Sequence, residues 1–144
     1  MSRTARAGML VLVLGLGLAM PLRPSEAADV ASRTLDAPLD RVWTVTESVL
    51  KSLGWDIDTY DRAVGWLLTE PRAVDSKEFA LYGKGLRHKL RISLKTVGSG
   101  RTLMSVERDV YEEKRVLWMI ERRPVTAPDQ AVESGILDAV QQGL

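Results

Sequence analysis

The chain contains no cysteine and only one histidine, His88. Without cysteine it can form no disulfide and no thiolate metal site, and it has no thiol nucleophile. A single histidine cannot supply the ligands of an ordinary zinc site, and no serine has the sequence context of a nucleophile elbow. We therefore predict no catalytic residue, no metal ligand and no cofactor, and we expect that the protein is not an enzyme.

Long apolar runs are equally scarce, and one lies near the start of the chain. Arginines precede an uncharged stretch from Met9 to Met20, and Pro21 follows it. A positive start, a short apolar run and small residues before a cleavage point are typical of a secretory signal peptide, so we predict one over residues 1–27. A membrane anchor is the alternative, but spanning a bilayer takes about 20 apolar residues.

Export predicts that the protein is secreted across the inner membrane and acts in the periplasm, or at the outer membrane when a partner holds it there. No stable membrane insertion is expected after cleavage. The remaining residues, 28–144, suit a single domain. They carry 17 basic and 18 acidic side chains, a formal net charge of −1. Because positive charge drives nucleic-acid binding, no nucleic-acid partner is expected.

Two stretches have the apolar spacing of amphipathic helices. The first begins near Pro38 and stops at Gly54, with apolar positions at Leu39, Val42, Trp43, Val49, Leu50 and Leu53. The second runs from about Ala127 to Gln142, with Thr126 as the candidate cap and an apolar stripe at Val132, Ile136, Ala139 and Val140. Both helices should cover the same core.

Between and before them the pattern has period two, which indicates strands. A short strand is predicted at Arg33 to Asp36, and one polar segment, Pro71 to Leu86, is either a long loop or a loop with a short strand. The predicted inward-facing positions are Trp55, Ile57 and Thr59, then Val64, Trp66 and Leu68, then His88, Leu90, Ile92 and Leu94, and finally Thr102, Met104, Val106 and Val110.

These elements predict an α+β fold. It is an antiparallel sheet of about four to six strands with two helices packed on one face, in the order β-α-β-β-β-β-α. Trp43, Trp55 and Trp66 fall on predicted inner faces and should be core.

One apolar cluster, Val116 to Ile120, has no clear period and is bracketed by charges. An exposed apolar patch often marks a binding surface, and burial of Trp118 in the core is the alternative. The candidate partner-binding residues are Val116, Leu117, Trp118 and Ile120.

Two charged groups have simpler explanations than ligand binding. The basic stripe of Arg87, Lys89, Arg91 and Lys95 should pair across strands with Glu107 and Asp109. Asp56, Asp58 and Asp61 begin like a calcium loop but lack its downstream glycine and glutamate, so they are predicted to be a solvated strand face and turn.

Three segments resemble the domains of the BamC (NlpB) family. They are Ala37 to Trp43 (APLDRVW), Leu50 to Asp58 (LKSLGWDID) and Asp61 to Glu70 (DRAVGWLLTE). Proteins of that family are lipoprotein accessories of the outer-membrane β-barrel assembly machinery. The first segment is also similar to helix-grip domains of the START-like superfamily. The chain differs from BamC in having no lipidation cysteine and one such domain instead of two.

The resemblance implies a helix-grip fold, a role in envelope assembly and no catalytic residues. We therefore expect a non-enzymatic periplasmic binding or assembly module that contacts an envelope protein. A sheet edge, the Pro71 to Leu86 segment or the Val116 to Ile120 cluster would hold that partner. The alternative is a helix-grip carrier of a lipid or other small apolar ligand, bound between a helix and the sheet.

Overall fold

The long antiparallel strands of the chain form one sheet, which both helices cover on the same face. The computed structural model describes residues 30–73, 82–127 and 129–144. The predicted signal peptide, residues 1–27, and residues 74–81 of the Pro71 to Leu86 segment lie outside the described residues.

Seven strands and two helices follow one another in the described part of the chain. They are β1 (Ala31–Leu35), α1 (Leu39–Ser52), β2 (Ile57–Asp61), β3 (Trp66–Thr69), β4 (Arg72–Ala73), β5 (Tyr82–Thr96), β6 (Thr102–Val116), β7 (Met119–Val125) and α2 (Ala131–Gly143). The predicted α+β class is confirmed, and the sheet has one strand more than the upper end of the predicted range.

Two long central strands organise the sheet, whose order is β1-β6-β5-β3-β2. β5 and β6 pair over fifteen positions, from Tyr82 opposite Val116 to Thr96 opposite Thr102. Each also has two short partners in succession along its outer edge. β1 and then β7 pair with β6, and β3 and then β4 pair with β5.

Helix α1 ends where the sequence predicts. Gly54 has φ +78, and its N–H donates to the carbonyl of Lys51 at 3.1 Å. The N–H of Trp55 donates to the carbonyl of Leu50 at 2.9 Å, and both side chains are buried. This pair of bonds with a left-handed glycine is the Schellman motif. It turns the chain from the helix directly into β2.

The core lies between the helices and one face of the sheet. Trp43, Leu50 and Val42 of α1 and Ile136, Leu137 and Val140 of α2 are buried against sheet residues. The sheet contributes Leu35, Leu67, Leu90, Ile92, Leu94, Met104 and Val106. The inward positions predicted for β5 and β6 are thus confirmed, and His88 is half-buried at the end of its row.

The predicted inner face of β3 is wrong. Leu67 and Thr69 are fully buried, whereas Trp66 is half-buried on the opposite face and Val64 is 68% exposed. Burial alternates without a break from Val64 to Thr69. The cause is that β3 carries apolar side chains on both faces, so its period does not show which face is buried. In β2, the predicted inward Thr59 is exposed, because a register shift follows Ile57.

The predicted start of α2 is also wrong. The helix begins at Ala131, with Gln130 and not Thr126 at the N-cap position. Asp129 Oδ1 accepts a hydrogen bond from the Ala131 N–H at 3.1 Å. Asp129 therefore accepts a hydrogen bond from the first free backbone N–H of the helix, as a capping side chain does.

Candidate functional site

The cluster without a clear period in the sequence forms the tip of a β-hairpin. β6 continues through Val116, β7 begins at Met119, and the two residues pair with each other. Leu117 and Trp118 alone form the connecting loop. The sequence gives no turn signal here, because such two-residue loops usually contain glycine or asparagine.

The side chains of this tip are exposed although they are apolar. Trp118 is 85% exposed, Met119 56%, Ile120 47% and Leu117 40%, and Val116 is half-buried. The structure thus brings the four candidate residues together and adds Met119, which lies within the predicted cluster but not among the candidates. We call Leu117 to Ile120 the apolar tip.

The apolar tip lies at the end of an arm, the part of the sheet that extends beyond the hydrophobic core. The last buried residue of β6 is Val110, six residues before the end of the strand. At about 3.4 Å per residue, the arm extends about 20 Å beyond it. β5, β6 and β7 pair side by side along this length. The arm is therefore a three-stranded sheet, which holds its shape better than an isolated hairpin.

Charged side chains hold the stem of the arm together on its outer face. Glu113 pairs with Arg122 across β6 and β7 at 3.1 Å and with Arg87 of β5 at 3.8 Å. The Arg122 guanidinium also lies 5.6 Å from the ring centroid of Tyr111. Each such contact is worth a few tenths of a kcal/mol to about 1 kcal/mol. The tip is thus positioned without apolar burial of its own side chains.

Leu117 has a backbone conformation that its side chain disfavours. Its φ of 56° is the one positive value at a non-glycine residue in the described ranges. A left-handed conformation costs an L-residue roughly 1–2 kcal/mol. Glycine would avoid this cost, so the stability of the backbone does not favour leucine at this position.

At the base of the arm, an ion pair anchors α2 to the sheet. Arg108 and Glu133 are 7% and 2% exposed, and Nε of the former lies 3.0 Å from Oε1 of the latter. The Arg108 guanidinium also donates to the carbonyl oxygen of Asp129. This pair is not predicted from the sequence, although Arg108 shares the parity of the inward residues Val106 and Val110.

His88 lies on the same face of the sheet, paired with Val110 and next to Arg72 of β4. Partial burial lowers the pKa of His88, and the nearby positive charges of Arg108 and Arg72 lower it further. The neutral imidazole is therefore favoured. This environment supports a structural side chain at the edge of the core.

A shallow groove of about 410 Å³ runs beside the two helices. It is lined by Thr44, Val45, Ser48, Val49, Ser52 and Gly143. The hydroxyls of Thr44, Ser48 and Ser52 donate to carbonyls of their own helix at 2.8–3.0 Å. The groove thus offers mainly an apolar floor with few free hydrogen-bond donors.

Several of the charged side chains considered from sequence have local partners. Arg91 pairs with Glu107 at 3.7 Å as predicted, whereas Lys89 pairs with Asp58 of β2 at 3.3 Å. Asp61 Oδ1 accepts from the Val64 N–H within its turn. Within the described ranges, no three acidic or histidine side chains converge closely enough to hold a metal ion.

Neither helix in the described part of the chain has the length and apolar character needed to cross a bilayer. A scan against protein-family models finds no matching family, and a search of curated proteins finds no match.

Proposed function

We propose that this protein is a non-enzymatic binding or assembly module of the bacterial envelope, which contacts a partner protein through its apolar tip. One observation carries the proposal: a Trp that is 85% exposed lies among three other exposed apolar side chains at the end of an ordered arm. Monomeric proteins seldom leave such a contiguous apolar patch in water unless it binds something.

The tip has the composition of an interface hot spot. Trp is the residue most enriched among side chains that dominate binding energy. Burying its side chain removes roughly 150–250 Å² from water, which is worth about 4–6 kcal/mol before the costs of association. Because the arm fixes Trp118 in advance, less conformational entropy is lost when the partner binds.

The cellular setting of the proposal comes from the sequence. The proposed signal peptide over residues 1–27 sends the module to the periplasm, and the BamC-like segments suggest a task in outer-membrane assembly. A site for catalysis is not part of the proposal.

Affinity purification of the full-length protein from envelope extracts tests this function. Three forms are compared: wild type, Trp118→Ala and Val64→Ala. Val64 is a matched control, since it is apolar, 68% exposed and lies in the β2–β3 turn away from the tip. We expect one partner to be recovered with wild type and Val64→Ala. Loss of a hot-spot Trp should reduce its recovery by roughly 30-fold. Equal recovery with all three forms would contradict the proposal.

A second candidate is a carrier of a lipid or other small apolar ligand, supported by the groove beside the helices. The groove lies on the exposed side of α1 and not between a helix and the sheet, where the sequence predicts the ligand. Its volume of about 410 Å³ falls within the usual range of ligand pockets, about 300–1,000 Å³. Its floor is apolar, with Val45 and Val49 among its lining residues. Native mass spectrometry of gently purified protein tests this. A bound mass that Ser48→Phe removes would support a carrier, and protein free of any added mass would count against it.

A further inference from the structure

Four basic side chains surround the apolar tip. Lys114 and Arg115 come just before the hairpin end, and Arg122 and Arg123 follow it, whereas Glu121 is the one acidic residue in 114–123. Arg122 and Arg123 lie opposite Glu113 and Glu112, so the paired rows from 112 to 123 carry a formal charge of +1. The positive charge nearest the tip is therefore that of Lys114 and Arg115.

Two basic side chains near the tip have no ion-pair partner among the described residues. Among the described residues, no carboxylate lies within 4.0 Å of the Lys114 or Arg115 side-chain nitrogens. Both side chains are exposed. Arg122 differs, because it pairs with Glu113 in the stem. Lys114 and Arg115 thus remain available for a partner.

No strand in the described ranges pairs with the outer edge of β7 next to the tip. In a two-residue hairpin the flanking residues, here Val116 and Met119, exchange backbone hydrogen bonds, and bonded pairs then alternate with non-bonded pairs. The backbone groups of Ile120 and Arg122 consequently face away from β6. Pro124 is the next outward position, and it has no N–H to offer, so strand addition is blocked further down the edge.

We propose that the partner's receiving site is an apolar pocket with an acidic rim on a protein surface. This inference rests on the proposed function and specifies the chemistry of the partner. The apolar tip enters the pocket, and the carboxylates of the rim meet Lys114 and Arg115. The rim also supplies polar groups to the free backbone of Ile120. Complementary charge of this kind sets orientation and speeds association.

An anionic membrane would also attract an apolar tip with basic neighbours, but the observations favour protein. Inserting the tip as far as Ile120 would place its outward N–H and C=O in hydrocarbon, where nothing satisfies them. The polar groups of a protein rim satisfy them.

The test is site-specific photocrosslinking in cells that express the full chain, with benzoylphenylalanine at position 120. The double variant Lys114→Glu/Arg115→Glu is compared with Lys95→Glu/Arg101→Glu, which makes the same charge change at the exposed far end of the β5–β6 hairpin. We expect the first to lower the yield of the protein adduct about tenfold, as losing charge pairs at an interface does. The second should leave the yield within about twofold of the parent.

Because Lys114 lies opposite Glu121, the charge reversal places two carboxylates across from each other on β6 and β7 and destabilises the arm. The neutral variant Lys114→Gln/Arg115→Gln avoids this repulsion, and its adduct yield should still fall by about threefold. Yields that do not respond to either tip variant overturn the acidic rim, while the proposed function survives if Trp118→Ala abolishes the adduct.

If no protein adduct depends on Trp118, the proposed function itself is contradicted. Trp118-dependent sedimentation of the purified protein with vesicles of phosphatidylcholine and phosphatidylglycerol at 3:1, without a protein adduct, would show that the tip binds lipid and would overturn the inference.

Discussion

Arg108 of β6 and Glu133 of α2 form an ion pair in which neither side chain exposes more than 3% of its surface. The pair links the closing helix to the point where the sheet leaves the core. Glu133 Oε2 has no hydrogen-bond partner among the described groups, so the carboxylate depends on Arg108 alone for neutralisation.

Removing one partner should cost more than removing both. Arg108→Met leaves a buried carboxylate uncompensated, and we expect it to lower the free energy of unfolding by about 3–5 kcal/mol. In Arg108→Met/Glu133→Leu no buried charge remains, and much of that loss should be recovered. Urea unfolding of the single and double variants measures both. Additive losses would show that the two side chains are not coupled.

A second prediction concerns Gly65, whose φ is +85 in the β2–β3 turn. A Cβ there would lie 2.3 Å from the carbonyl oxygen of Leu94. Gly65→Ala should therefore destabilise the fold by about 3 kcal/mol or more. Gly100 is the control, because its φ is +67 but nothing lies within 4 Å of its Cβ position. Gly100→Ala should cost about 1 kcal/mol. Similar losses in the two variants would rule out the backbone contact as the cause.

The pH dependence of stability should include a contribution from His88. Its pKa is lowered in the folded state, first by burial and then by Arg108 and Arg72, so the unfolded chain binds the proton more readily. Stability is therefore complete above the ordinary value of 6.5 and declines as pH falls below it toward the lowered pKa. Thermal unfolding between pH 7.5 and 5.5 should show a smaller decline in His88→Gln than in wild type. An identical decline would assign the acid sensitivity to other groups.

Relieving the backbone strain at Leu117 should stabilise the arm. Leu117→Gly accepts the positive φ at no steric cost, and we expect local stability to rise by about 0.5–1 kcal/mol. Leu117→Ala removes the same apolar surface but keeps the strain. Hydrogen exchange at the Val116 and Met119 amides should slow only in the glycine variant. Equal exchange in both would mean that the loop is not strained.

Most of the fold was predictable because the spacing of apolar residues shows which positions face the core. The heptad-like spacing of α1 and the alternation along β5 and β6 indicate which side faces the core. Gly54 indicates where α1 ends. The predicted phase of β3 was wrong because apolar residues lie on both of its faces, Trp66 and Leu68 on one and Leu67 on the other. Alternation alone then cannot show which face is buried.

The candidate site was found by composition and not by geometry. The cluster from Val116 to Ile120 is recognisable as an apolar stretch among charged residues. Its hairpin is not predictable, because Leu117 occupies a loop position where glycine usually indicates a turn. Arg108 was missed for a different reason: alternation predicts an apolar residue at its position. Only the opposing Glu133, 25 residues away along the chain, makes a buried arginine there acceptable.

The continuity of β6 gives the arm a mechanical property. One strand runs from the helix-covered core to the apolar tip, and its neighbour β5 pairs with it at all fifteen positions. A pull applied at Trp118 acts along β6, so the hydrogen bonds between the two strands are loaded in shear and share the force. Rupture then requires many of them to break together, whereas peeling a hairpin apart breaks them one at a time. A partner that moves while holding the tip would therefore drag the whole domain before it unfolds the arm.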